Sequence, residues 1–314
     1  MPNPAEAPAE APAPARASPW RRRGGLVAGV LVLAFLVWAL IDGWSSVAEY
    51  DWEVSPGILA LGCAVLLVFY LASGLGYVGI VDRLHAGGPP ARTVLSIWAR
   101  SLLGRYVPGN VLMVLGRVVL SHERGIPKRA TLAATVYEQI LALGVAAAGA
   151  VAFVALYEGG GGARVWLLAL VPLGLLVLHP RVFGPMSAWA LRLAKREPLP
   201  RLIPAGPLAG LVAWYALTAG LLALGIWLMV RSAAGAEAGG PAFVGLAFLL
   251  SFAVSTLAFI FPSGLGVREG AFAIALAQNL PGSVAVALSV GTRVMLTMVE
   301  LVFIAVAVLA GRDR

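Results

Sequence analysis

The chain has 314 residues, of which 60% are hydrophobic and only 12% are charged, and its mean hydropathy is +0.89. Soluble domains are about 45–50% apolar and about 25% charged, so a water-soluble globular fold is excluded. The formal net charge of +8 indicates basic cytoplasmic loops that meet anionic lipid, and no nucleic acid is expected as a partner.

The composition changes along the chain from a polar tail to a series of apolar stretches. Residues 1–19 are rich in Pro, Ala and Glu without apolar periodicity, which predicts a disordered cytoplasmic tail. Residues 20–314 are predicted to form a single transmembrane domain. Its apolar stretches of about 17–28 residues are long enough to cross a hydrocarbon core about 30 Å thick. The predicted spans are 25–41, 57–81, 130–157, 164–179, 205–231 and 283–310.

The first of these stretches has an alternative interpretation. Arg21, Arg22 and Arg23 precede it, and a small-residue site follows it, as in a cleaved signal peptide. Because more spans follow, an uncleaved first span is the preferred interpretation.

Two further apolar segments are interrupted near their middles by Pro and Gly. Residues 93–122 are broken at 107–110 (Val-Pro-Gly-Asn), and residues 242–280 are broken at 261–266 (Phe-Pro-Ser-Gly-Leu-Gly). Hydrocarbon does not tolerate unpaired backbone groups, so each break must be buried in protein or line a wet cavity. The sequence therefore predicts two re-entrant hairpins. The alternative is that Pro108 forms a turn between two helices at the cytoplasmic surface, and that Pro262 ends a full span in the second segment.

Basic residues are distributed asymmetrically in this topology. Of the Lys and Arg residues outside the apolar segments, all but Arg164 and Arg231 fall on one side. The positive-inside rule then predicts a multi-pass protein of the cell membrane with both termini in the cytoplasm. The two hairpins would enter from opposite leaflets, as the broken helices of inverted-repeat transporters do. The inverted repeat is a hypothesis, because no residue-level repeat is evident.

Eight charged residues lie in apolar surroundings, and they carry a surplus of two positive charges. At about 2.5–3.5 kcal/mol per charge at the bilayer centre, eight lipid-facing charges would cost on the order of 20–28 kcal/mol. These side chains must therefore face the interior and pair, or lie nearer the interface. Arg293 and Glu300 are two helical turns apart and share one face. The eight are Arg100, Arg105, Arg117, Arg268, Arg293, Glu138, Glu269 and Glu300.

A cationic, partly dehydrated cavity favours an anion, and inside a membrane we expect a lipid headgroup. Guanidinium binds phosphate through two parallel hydrogen bonds. Gly264 and Gly266 lead into a helix at Arg268, where free backbone N–H groups at the helix N-terminus would also favour an anion. The alternative, for Glu138, Glu300 and Arg293 above all, is that these ions only pair with one another and hold helices together.

No metal, cofactor or enzymatic activity is expected. Cys63 is the only cysteine, and His85, His122 and His179 lack the spacing of a zinc site. The chain has no His-Glu-x-x-His motif, no Ser-His-Asp set and no aspartate pair. An intramembrane enzyme that uses Glu138 or Glu269 as a general base is an alternative.

Two motifs resemble the transmembrane region of lysylphosphatidylglycerol synthases, a flippase-like family that includes stand-alone proteins. The first is 104–110 (Gly-Arg-Tyr-Val-Pro-Gly-Asn), followed by Arg117 and Glu138. The second and more specific is 262–270 (Pro-Ser-Gly-Leu-Gly-Val-Arg-Glu-Gly). The resemblance implies a domain that moves a lipid headgroup between leaflets, such as aminoacylated phosphatidylglycerol or a polyprenyl-phosphate-linked sugar. It also implies a polar core of Arg105, Glu138, Arg268 and Glu269.

The headgroup is expected to bind Arg105, Arg117, Arg268, Gly264 and Gly266, while Glu138, Glu269, Arg293 and Glu300 serve in charge pairing or gating. Since the sequence ends at Arg314 without an aminoacyltransferase domain, it is not expected to make lysyl-lipid itself. A non-transporting accessory or scaffold subunit of a separate membrane synthase or glycosyltransferase is the alternative function.

Overall fold

The computed structural model describes residues 41, 44–106, 111–157, 166, 181–182, 184–185, 203–257 and 266–311. Within these residues every regular element is a helix. The predicted tail, nearly all of the predicted spans 25–41 and 164–179, and Gly264 lie outside them. In chain order the helices are α1 (Trp44–Glu49), α2 (Pro56–Leu84), α3 (Ala91–Leu102), α4 (Val111–Glu123), α5 (Lys128–Tyr157), α6 (Ala205–Ala234), α7 (Pro241–Leu257), α8 (Val267–Leu276) and α9 (Gly282–Ala310).

Four helices, α2, α5, α6 and α9, are long and apolar enough to cross a bilayer. They confirm four of the predicted spans. Their 29 or 30 residues extend about 43–45 Å, which exceeds the hydrocarbon thickness and accommodates tilt. In the most apolar window of each helix, 28–39% of the residues are buried, and the others are partly or fully exposed on the protein surface. The protein is therefore a polytopic helical membrane protein.

Short helices flank each predicted break, and the two helices on either side of a break pack against each other. Hairpin 1 consists of α3, its 3-10 continuation Leu103–Tyr106, and α4; hairpin 2 consists of α7 and α8. These helices have 10 to 17 residues, which corresponds to about 15–26 Å and is less than the hydrocarbon thickness. The helix–break–helix pattern expected from Pro and Gly is thus present in both segments.

The ends of the helices lie on two opposite faces. Ser55, before α2, donates its backbone N–H to the carbonyl of Ser232 near the end of α6, at 2.8 Å. Tyr157, at the end of α5, contacts Phe243 near the start of α7, with ring centroids 5.2 Å apart. These ends form what we call the acidic face. Its charged side chains are Glu49, Asp51, Glu53, Glu237 and Arg231.

At the other face, Gly311 follows α9 and lies directly against Ser96 of α3. We call it the basic face. Hairpin 1 begins and ends there, whereas hairpin 2 begins and ends at the acidic face, so the two broken elements point toward each other. Described basic side chains at the basic face are Arg83, Arg92, Arg124, Lys128 and Arg129.

Glycines allow the long helices to approach closely. A Cβ on Gly225 of α6 would lie 2.6 Å from Cγ of Leu66 in α2, and one on Gly62 of α2 would lie 3.2 Å from Cβ of Leu228. Leu66 is fully buried and has no free space into which to move. Small residues at such crossings are the usual means of close packing between membrane helices.

We predict that Gly225→Ala lowers the melting temperature of the detergent-solubilised protein, because overpacking a dense contact costs about 1–3 kcal/mol. Gly220→Ala is the matched control. It lies on the same helix, is exposed, and has nothing within 4 Å of its added Cβ. Both variants gain the same helix propensity. Equal melting temperatures would contradict the importance of the α2–α6 contact.

Candidate functional site

The span α9 carries two opposite charges on one face, and each is paired with a different hairpin. Arg293 Nε lies 3.6 Å from Oε1 of Glu269, in the first turn of α8 in hairpin 2. Glu300 forms an ion pair with Arg105, at the tip of hairpin 1, and accepts a hydrogen bond of 3.3 Å from the Tyr70 hydroxyl. The polarity of the two pairs is therefore reversed. Arg293 and Glu300 flank the middle of α9, about 10 Å apart along its axis.

Glu269 fixes the start of α8 as well as pairing with Arg293. Gly266 has φ +84°, a left-handed conformation that glycine adopts without steric cost. Its backbone N–H donates to Oε2 of Glu269 at 2.7 Å, and Ser289 Oγ donates to the Glu269 carbonyl at 2.8 Å. The expectation of a free N–H at Gly266 is therefore wrong, because the first-turn carboxylate already accepts from it.

Arg268 is held by aromatic rings. Its guanidinium carbon lies 4.3 Å from the ring centroid of Phe248 and 5.7 Å from that of Phe252, which is cation–π geometry. Among the residues that the structure describes, no ion pair joins Arg268 to a carboxylate. It lies close enough to Arg293, Glu269, Tyr70 and Arg105 to interact electrostatically with each.

A small cleft opens beside this guanidinium. Its empty volume is about 180 Å³, but the side chains leave room for only about one water molecule. A lipid headgroup would therefore have to displace side chains or a hairpin in order to enter. The lining residues are Phe248, Arg268, Glu269, Phe272, Ser289 and Arg293.

Arg117 lies in a second, closed polar cluster. Its side chain is 1% exposed and forms an ion pair with Glu138 of α5. Its Nε donates to Ser101 Oγ at 2.9 Å, and its guanidinium lies 4.5 Å from the ring centroid of Tyr77 in α2. The Trp98 indole donates to the other Glu138 oxygen at 2.5 Å. This cluster attaches hairpin 1 to α2 and α5.

The structure thus separates two residues that the sequence prediction placed together. Among the described residues, Arg117 pairs with Glu138, whereas the charged neighbours of Arg268 are Arg293, Glu269 and Arg105. Arg117 is fully buried, and Arg268 borders the cleft. Phe303 of α9 connects the two clusters, because its ring stacks on Tyr70 at 5.6 Å and meets Trp98 edge-on at 6.1 Å.

Every carboxylate that lies in an apolar segment has an arginine partner. Of the 15 Asp and Glu residues, only Glu138, Glu269 and Glu300 fall inside the predicted spans and the two interrupted segments. Each of the three forms an ion pair with an arginine. These partners are Arg105, Arg117 and Arg293. Arg268, which lines the cleft, forms no ion pair with an embedded carboxylate among the described residues.

Several residues of these clusters were not predicted from the sequence. Tyr70, Tyr77, Trp98 and Phe248 lie in apolar stretches, where aromatic residues are common. Tyr and Trp carry a polar tip that needs a partner when buried, and this was the available signal. The identity of the partner depends on the packing of separate helices, and no local pattern encodes it.

These features define a class of membrane protein in which two opposed broken hairpins meet on one spanning helix, with an excess of guanidinium groups between them. The family model described as lysylphosphatidylglycerol synthase TM region matches residues 26–304, and the chain belongs to this family. No curated protein matches it.

We predict that Arg117→Met and Glu138→Gln each destabilise the protein by about 3–5 kcal/mol, because each leaves an uncompensated buried charge. The double variant should be more stable than either single variant, since this cluster then contains no charge and the amide oxygen introduced by Glu138→Gln still accepts from Trp98. Thermal unfolding in detergent is the measurement. Arg231→Met, which removes a guanidinium stacked on Trp227 at the acidic face, is the control. Single variants as stable as the wild type would contradict this role.

Proposed function

We propose that this protein moves a lipid with a phosphate-bearing headgroup between leaflets, with the headgroup against Arg268 and the acyl or prenyl tails in the bilayer. The observation that carries the proposal is the position of Arg268. It has a partly buried guanidinium on aromatic rings, no carboxylate partner among the described residues, and a second guanidinium, Arg293, in the same cleft. Two guanidinium groups that border one cleft suit a phosphate. Membership in a family named for a phospholipid synthase supports a lipid as the source of that phosphate.

The ion pairs on α9 indicate an order of steps for the proposed transport. In the closed arrangement, Glu269 holds Arg293 and Glu300 holds Arg105. An arriving phosphate competes with Glu269 for Arg293, which weakens the attachment of hairpin 2 to α9. Release of Arg105 from Glu300 does the same for hairpin 1. Because the hairpins begin at opposite faces, release of one or the other exposes the cleft to one leaflet at a time.

The proposal is one of transport and not of catalysis. The ion pairs of Glu138, Glu269 and Glu300 with arginines support this proposal, because a carboxylate held by a guanidinium is a weaker general base. No cofactor enters the proposed cycle. Its partner is the membrane lipid, and a separate synthase or glycosyltransferase is the partner that the accessory-subunit alternative requires.

We further propose that the basic face lies in the cytoplasm. Basic residues dominate its described loops and helix ends, whereas the acidic face has Arg231 as its one described basic side chain. Green fluorescent protein fused after Arg314 should then fluoresce in a bacterial host, and alkaline phosphatase fused there should be inactive. The reverse pattern of the two reporters would contradict this orientation.

We predict that Arg268→Gln greatly slows lipid movement without unfolding the protein. The test uses vesicles that contain acyl-labelled fluorescent phosphatidylglycerol, with dithionite added outside. Wild-type protein should bring the inner-leaflet probe within reach of the quencher, and Arg268→Gln should leave about half of the fluorescence protected. Arg268→Lys should be intermediate, because ammonium keeps the charge and loses the bidentate geometry.

Arg231→Gln is the matched control, because Arg231 also lies over an aromatic ring, 5.6 Å from the Trp227 centroid, but does not line the cleft. It should transport as the wild type does. Unchanged transport by a folded Arg268→Gln variant would refute the role of this guanidinium. A folded wild-type protein that moves no lipid would refute transport itself and would favour the accessory-subunit function.

A further inference from the structure

The polar cluster between the two hairpins has a defined net charge. It contains three guanidinium groups, Arg105, Arg268 and Arg293, and two carboxylates, Glu269 and Glu300. The residues that join the helices of each hairpin, 107–110 and 258–265, include no Lys, Arg, Asp or Glu, so they do not change the number of charges. The cluster therefore carries one excess positive charge. The Arg117–Glu138 pair outside it is neutral.

Both carboxylates of the cluster are already occupied. Glu269 forms an ion pair with Arg293 and accepts a hydrogen bond from the Gly266 N–H, and Glu300 forms an ion pair with Arg105 and accepts a hydrogen bond from Tyr70. An ammonium group on a headgroup could reach a carboxylate only by displacing an arginine. The displaced guanidinium would then be uncompensated, because no other embedded carboxylate is available.

We propose that the headgroup carried by this protein is net anionic, a phosphate ester without ammonium groups, and that aminoacylated, cationic lipids are disfavoured. This inference rests on the proposed function and narrows its substrate class. One phosphodiester charge brings the cluster to neutrality. A lysyl ester adds two ammonium groups to that phosphate and raises the total positive charge in a medium that screens charge poorly.

The experiment measures which lipids stay bound to the purified full chain in native mass spectrometry. The protein is equilibrated with equimolar phosphatidylglycerol, alanyl-phosphatidylglycerol and lysyl-phosphatidylglycerol of identical acyl chains, whose net charges are −1, 0 and +1. Retention should fall in that order, with at least about a tenfold difference between the first and the last, or about 1.4 kcal/mol. A fourth lipid, lysyl-phosphatidylglycerol acetylated on both amines, keeps the bulk and restores the charge of −1.

The acetylated lipid should bind as phosphatidylglycerol does. Arg268→Gln should retain phosphatidylglycerol and lysyl-phosphatidylglycerol more nearly equally, and Arg231→Gln should keep the preference of the wild type. Equal retention of all four lipids, a preference for lysyl-phosphatidylglycerol, or exclusion of the acetylated lipid along with the unmodified one would overturn the inference. The first two results leave lipid transport standing, and the third shows selection by size. Failure of the proposed function is distinguishable, because the folded wild type would then move no labelled lipid in the vesicle assay.

Discussion

The two ion pairs on α9 are the interactions on which the rest of the arrangement depends. The helices of the two hairpins have 10 to 17 residues and are shorter than the four long spans, and a backbone break within the bilayer must be covered by protein. Arg105 and Glu269 bring a charge to each tip, and Glu300 and Arg293 neutralise these charges from a single span. The two tips are thereby positioned near the same depth, on either side of the middle of α9. The cleft beside Arg268 lies between hairpin 2 and α9.

Two arginines in this protein show how surroundings determine role. Arg117 has a carboxylate, a hydroxyl and an aromatic ring within contact distance, and its 1% exposure leaves no surface for a ligand. Arg268 has aromatic rings on one side and a cleft on the other. Aromatic rings stabilise a cation but do not neutralise it, so its charge remains available to an incoming anion.

The long helices and the positions of the breaks could be predicted from the sequence, because segment length, hydropathy and Pro–Gly pairs are local features of the chain. Pro56–Leu84 and Gly282–Ala310 match the predicted spans to within a few residues. The sequence also indicated that Arg293 and Glu300 share one face. It did not show that they pair with different hairpins, or that Arg117 lies apart from Arg268. Those facts depend on how separate helices pack together, which no local sequence pattern encodes. The Gly266 N–H was misjudged because a carboxylate three residues ahead, Glu269, accepts from it.

The position of α9 in the chain has a consequence for biogenesis. It follows both hairpins, so during synthesis Arg105 and Glu269 reach the translocon before the residues that neutralise them. Until Gly282–Ala310 is inserted, the tips of both hairpins carry charges without their partners on α9. Neutralisation of the two hairpin tips is therefore a late step that waits for one helix, and a nascent chain stopped before it would leave Arg105 and Glu269 without their partners.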